Sequence, residues 1–152
     1  MRLYKTMLMI APFYGVSLRM RHPTIDPMEI TNQLSIIPTY SWKQGDDRKT
    51  PMGQSLDGSY KKSYWCFCYS IPPDTSLSDF LHSCVNQLAP YHDLFHRISK
   101  EHGQSEFYVG LRGNVNAGDE LQWDLLSRLV ELRLNLAIEV FPRKKEEPTG
   151  LD

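Results

Sequence analysis

The chain has little net charge, few cysteines and no long hydrophobic run, and each shortage excludes something. Of its 152 residues, 17 are Lys or Arg and 18 are Asp or Glu, a formal net charge of -1. So even a balance gives no field to steer the chain toward nucleic acid or an acidic membrane. Neither part of the chain hides one: residues 1–60 carry 7 basic and 5 acidic groups, and the remainder 10 and 13. Three cysteines are too few and too odd for a disulfide framework. They predict a chain kept reduced, in the cytoplasm. The longest apolar stretch, from Thr6 to Phe13 behind Arg2 and Lys5, is broken by Pro12. It is far short of the roughly 20 residues that span a bilayer, and no small-residue cleavage site follows. It reads as a lead-in or an extra edge segment. Repeats, low-complexity tracts, a G-x-S-x-G turn, a phosphate-binding glycine loop and a dinucleotide fingerprint are all missing.

What remains is the composition of one globular domain, with 41% hydrophobic and 11% aromatic residues. The expected division is a lead-in at 1–13, a single domain at 14–142 and a charged tail at 143–152. The first clear strand is Tyr14–His22, where Val16, Leu18 and Met20 alternate with Ser17, Arg19 and Arg21. That period of two describes a sheet with one wet face, and Pro23 ends it. Asp26, Pro27 and Glu29 form a helix start, and Pro38 stops the short helix that carries Ile30 and Leu34. Thr39–Lys43 fits a brief strand. Tyr60–Ile71 is apolar on both faces, with Trp65, Phe67, Tyr69 and Ile71 opposite Tyr64, Cys66 and Cys68, so it is expected to be central and covered on both sides.

The second helix begins at Ser76. Leu77, Phe80, Leu81, Cys84, Val85 and Leu88 share one stripe, and Tyr91, Leu94, Phe95 and Ile98 continue it past Pro90. Because the phase survives the proline, the spacing predicts one kinked helix rather than two, with Gly103 as its C-cap. A strand at Ser105–Arg112 follows. A third helix, about Gln122 to Arg133, is expected to bury Leu125, Leu126, Leu129 and Val130. The last strand places Leu134, Leu136, Ile138 and Val140 on one face. The sum is an α+β domain: a mainly antiparallel sheet of four to five strands with three helices.

Two clusters invite a metal and neither fits one well. His92, His96 and His102 copy the histidine spacing of H-E-x-x-H-x-x-G-x-x-H. Asp93 stands where that motif needs Glu, and Ser99 where it needs the turning Gly. His92 and His96 can share a helix face, but on a continuous helix His102 would lie about 15 Å from His92. Cys66, Cys68, His82 and Cys84 make a second set, in which His82 and Cys84 point in different directions on a helix. No metal or cofactor is expected, with His92 and His96 as the weak candidates.

The segment from Gly45 to Ser59 is irregular, punctuated by Gly45, Pro51, Gly53 and Gly58. A loop of that length inside a compact domain is usually functional or disordered. Beside it stand Trp42, Asp46, Arg48, Tyr64 and Trp65: aromatic platforms, a carboxylate and a planar cation. Trp, Tyr and Arg are enriched at binding hot spots, and these five are the candidate binding residues. The opposing reading makes Trp42 and Trp65 core anchors, with Asp46 and Arg48 pinning the loop.

Four pieces of sequence give the chain a resemblance. They are Leu18-Arg-Met-Arg-His-Pro23, Asp26-Pro27-x-Glu29-Ile30, Pro38-Thr-x-x-Trp42-x-x-Gly45-Asp46 and Ser63-Tyr-Trp65. Together they resemble the bacterial family catalogued as domain of unknown function 4279, over about Val16 to Phe141. The resemblance implies a small cytoplasmic bacterial protein and supplies no catalytic residues. For some relatives it implies an immunity role in toxin systems. The expected function is therefore a non-enzymatic binding module with a protein partner, immunity-like in form. The alternative is a small enzyme with its site in the 42–65 region or on the His-rich helix.

Overall fold

The computed structural model describes residues 14–113 and 118–142. The expected lead-in at 1–13 and tail at 143–152 lie outside them. The strands are β1 (Tyr14–His22), β2 (Tyr40–Trp42), β3 (Asp47–Lys49), β4 (Ser55–Ser59), β5 (Ser63–Cys68), β6 (Gln104–Arg112) and β7 (Leu134–Phe141). The helices are α1 (Pro27–Leu34), α2 (Leu77–Leu88), α3 (His92–Lys100) and α4 (Trp123–Glu131). Five strands form one sheet in the order β2-β5-β1-β6-β7, and β3 and β4 form a separate two-stranded ribbon. All pairs in the large sheet are antiparallel except β6 with β7. The fold is α+β with a mainly antiparallel sheet.

β1 sits in the middle, and its alternation decides which side is buried. Tyr14, Val16, Leu18, Met20 and His22 are buried, while the residues between them are half-exposed. Register carries the same division outward. Met20 faces Trp65, and Leu18 lies between Phe67 and Phe107. The buried cluster then takes in Ile30 and Leu34 of α1, Phe80 to Leu88 of α2, Leu94 to Ile98 of α3, and Leu125 and Leu129 of α4. All the described helices therefore cover one face of the sheet. On the other face, register aligns Trp42, Tyr64, Arg21 and Gln104 in one row and Tyr40, Cys66, Arg19 and Glu106 in the next.

Local chemistry explains the helix boundaries. The Asp26 carboxylate accepts the Met28 backbone N–H at 2.9 Å ahead of Pro27, and this bond, with Lys43 nearby, lowers its pKa. Ser76 caps α2 by accepting from the Asp79 N–H at 3.1 Å. Pro90 divides the expected single helix into α2 and α3 by a 3-10 turn at Ala89–Tyr91. The stripe keeps its phase across the turn: Leu88 is buried and Tyr91 packs on the same core.

Four expectations need correction. The Gly45–Ser59 stretch is not structureless but holds the β3–β4 ribbon. β5 is shorter than Tyr60–Ile71, and its second face is uncovered enough to leave Cys68 exposed. The left-handed residue ending α3 is His102, with φ of 67°, rather than Gly103. On α4, Leu126 and Val130 are exposed, because that helix turns Leu125 and Leu129 to the core and the other face to solvent.

A polar stitch, unforeseen from the sequence, joins three elements on the helical side. His22 is buried, and its Nδ1 accepts the Thr24 and Ile25 N–H groups at 3.0 and 2.8 Å. Its Nε2 therefore carries the proton and donates to Glu101 at 2.7 Å. Glu101 also accepts from Arg97 Nε at 2.9 Å, and Arg97 reaches Glu29 on α1. Arg97 first, and His22 second, hold the Glu101 carboxyl below its ordinary value.

Two expectations follow. A Cβ on Gly103 would stand 2.7 Å from the Arg21 backbone oxygen and 2.7 Å from the Ile98 side chain. Gly103→Ala should therefore cost about 1–3 kcal/mol by urea denaturation, since the backbone must shift. A depressed folded-state carboxyl contributes stability above its unfolded value, about 4.3 for Glu, that is lost as pH falls through the folded value. The melting temperature should thus fall on acidification below about pH 5. Arg97→Ala should flatten the part of that slope owed to Glu101.

Candidate functional site

The hairpin that joins β2 to β5 is long, and it bends. At the bend, Gly45 takes φ of 88°, a conformation natural to glycine. Asp46 fixes the turn from both sides. Its carboxylate accepts the Lys43 N–H at 3.2 Å, its N–H donates to the Lys43 carbonyl at 3.1 Å, and its carbonyl accepts the Tyr60 N–H at 2.9 Å. The Gly45 N–H donates to the Tyr60 carbonyl at 2.9 Å and closes the base of the ribbon.

Aromatic rings hold the bend open on the uncovered side. Trp42 is stacked between Tyr60 and Tyr64, with ring centroids 4.6 and 4.4 Å away. The Tyr60 hydroxyl lies 3.2 Å from both the backbone N–H and the carbonyl of Lys49, so it receives from one and donates to the other. One ring thus ties the ribbon to the sheet. Between β2 and the ribbon lies an open groove of about 780 Å³. Tyr40, Trp42, Leu56 and Tyr60 give it an apolar wall, and Asp46, Asp47, Arg48 and Lys49 a charged one. Arg48 is exposed and makes one long bond, 3.4 Å, to the Asp57 carbonyl.

The row of charges beyond the stack extends this surface across the sheet. Arg21 pairs with Glu106 at 3.1 Å, and its guanidinium carbon is 5.7 Å from the centre of the Tyr64 ring. Arg19 lies 3.5 Å over the Tyr108 ring, a close cation–π contact, and the Tyr108 hydroxyl donates to Glu139. Burial raises the pKa of the Tyr64 phenol.

Of the five residues proposed from sequence, the structure brings four to one region. Trp42, Asp46 and Arg48 line the groove, and Tyr64 backs Trp42. Trp65 is on the opposite face, fully buried, and its indole N–H donates to Thr31 Oγ1 at 3.0 Å, anchoring α1 to the sheet. Alternation along Ser63–Cys68 places Tyr64 and Trp65 on opposite faces. The sequence reading missed Tyr60 and Arg19. Tyr60 reads as the first residue of the Tyr60–Ile71 strand but lies between β4 and β5, where it stacks on Trp42, and Arg19 looks like an ordinary wet-face residue until Tyr108 is placed beneath it.

The histidine and cysteine sets occupy other places. The His92 and His96 rings stack at 5.8 Å along α3, beside a depression of about 590 Å³. His92 bonds Asp93 at 2.9 Å and His96 donates to the Glu131 carbonyl at 2.5 Å. Cys66 and Cys68 are on the open face of the sheet, and Cys84 is in the core beneath the other, so the sheet separates them. Burial pushes the Cys84 thiol up to about 12 and raises Cys66 as well, which leaves both poor nucleophiles. Among the described residues, no group of three or more His, Cys, Asp or Glu stands together as a metal site, and no helix is long and apolar enough to cross a membrane.

Trp42→Ala should cost roughly 1–3 kcal/mol in chemical denaturation, since it ends two aromatic contacts of about 0.5–1.5 kcal/mol each. Tyr60→Phe should keep the stack and lose only the hydroxyl bonds. It should speed amide exchange at Lys49 while leaving global stability within about 1.5 kcal/mol of the parent.

No curated protein and no solved structure matches the chain. One family does, over residues 11–141, which includes every described strand and helix. Its span takes in the bent hairpin, the aromatic stack and the charged row together. On that match, the chain belongs to the family described as a domain of unknown function, DUF4279.

Proposed function

We propose that the protein is a non-enzymatic binding module that engages a protein partner through the groove between β2 and the β3–β4 ribbon. The observation that supports this most directly is the composition of the groove. It joins an aromatic wall, Tyr40 beside the stacked Trp42 and Tyr60, to an exposed Arg48 with one weak bond. Aromatic residues and Arg are the residue types that anchor protein interfaces. The stack supplies contact area already held in place, so little side-chain entropy is lost on docking. An edge strand lies along the same groove, which suits a partner segment laid down in extended form.

The enzyme alternative has less behind it. The His-rich helix directs His92 to its own neighbour Asp93 and His96 to a backbone carbonyl. Apart from the Asp93 carboxylate itself, neither bond brings a catalytic side chain against them. An immunity-like role is the more specific form of the binding reading. It rests on the resemblance described above, and a toxin encoded beside this gene is the first partner to try.

The test separates folding from recognition. Arg48→Ala should leave the denaturation midpoint nearly unchanged, because an exposed polar contact contributes only about 0–1 kcal/mol. The same variant should bind a partner isolated by affinity capture at least tenfold more weakly. If Arg48→Ala and Tyr40→Ala both retain full partner affinity per folded molecule, the groove is not the recognition surface.

A further inference from the structure

The strand at the far side of the sheet from the groove is built unlike a solvent edge. β7 has eight residues and pairs only with β6, so no described strand occupies its outer side. Isolated edges are ordinarily blunted by brevity, lysine, proline or a bulge. Leu134–Phe141 has none of these within it. Its one charge, Glu139, is occupied by the Tyr108 hydroxyl. Ile138 and Val140 are in register with buried Val109 and half-buried Leu111, yet they are 56% and 62% exposed. The helical layer stops short of them, and Phe141 on the opposite face is 46% exposed.

We propose that β7 pairs edge to edge with β7 of a second copy of this chain, joining two five-stranded sheets into one of ten strands. The pattern of the strand selects a copy of itself. A two-fold axis perpendicular to the sheet pairs the strands antiparallel and keeps the helical layers of both copies on one side. With Ile138 on the axis, Ile138 meets Ile138 and Leu136 meets Val140. The exposed apolar side chains then continue one strip across the joint, as cross-strand pairs require. On the other face Ala137 meets Glu139 and Asn135 meets Phe141, so no carboxylate faces another. Shifting the axis to Glu139 would oppose two like charges, and a slip of one residue for a single strand would turn the apolar set to the wrong face.

The test is the mass of the parent chain by sedimentation equilibrium across micromolar concentrations, compared with Ile138→Lys/Val140→Lys. The expected result is a dimer whose dissociation constant rises at least tenfold in the double variant. Near-ultraviolet circular dichroism checks that the variant is folded. Two further measurements do not depend on that variant. In a Cys68→Ser background, Ile138→Cys should form a symmetric intermolecular disulfide and Val140→Cys should not. In the parent, amide exchange along Leu134–Phe141 should slow as protein concentration rises. A parent that stays monomeric overturns the proposal. So does a dimer that survives the lysines but is lost in Trp123→Lys, which would place the contact on the exposed side of α4. Cross-linking at Val140→Cys in place of Ile138→Cys overturns the register.

Discussion

Much of this molecule follows from one strand in the middle of the sheet that buries only every second residue. In β1 the sequence from Val16 to Arg21 alternates apolar with polar, and both neighbours, β5 and β6, must fall into register with it. A one-residue slip would carry Leu18 and Met20 into water and Arg19 and Arg21 into the core. With the register fixed, all the described helices gather on one side. The core closes there around Leu18, Trp65, Phe95 and Phe107, each with no exposed surface. The other side is left to stabilise itself without a helix.

It does so with rings and guanidinium groups. Arg19 on Tyr108, Arg21 on Glu106 and Trp42 between two tyrosines are the cross-strand contacts of a sheet whose second face is solvated. Each also keeps a large, stiff side chain at the surface. A face stabilised in this way is structural and has the composition that the proposed binding role needs. Apolar area, planar cations and fixed hydrogen-bonding groups are presented together, with few rotamers left to freeze. Helical cover on both faces would have removed that possibility.

The residues differed in how much they disclosed in advance. β1 was legible because its period of two is clean, and the α2–α3 stripe because its phase carries through Pro90. Trp65 was not, since a tryptophan between Tyr64 and Cys66 has the same local pattern whether it faces a ligand or α1. Only register against Met20 decides that. The ribbon was invisible for a related reason. Arg48 and Asp57 are poor strand formers, and β3 and β4 exist because Asp46 and Tyr60 clamp their base, a contact between residues fourteen apart. His22 looked like the last residue of a strand. Its buried role depends on Glu101, which only the packing of α3 against β6 brings near. Pairwise long-range geometry is what periodicity cannot express.

The two ends of the sheet are finished in opposite ways, and the difference is informative. β2 is three residues long, with Lys43 and Asp46 just beyond it and a charged ribbon standing over it. Those are the devices that keep an edge from pairing indiscriminately. A segment that paired there under the proposed function would have to complement Trp42 and Arg48. β7 is eight residues long, parallel to its neighbour and nearly without charge. If freedom from aggregation were the sole demand on this fold, both edges would be expected to carry the same protection. Among the described residues, a guarded edge with a groove and an unguarded edge with an apolar strip are instead what the two proposals together ask for: a chain that would meet two different surfaces. On those proposals the first would filter by chemistry, and the second by matching its own pattern.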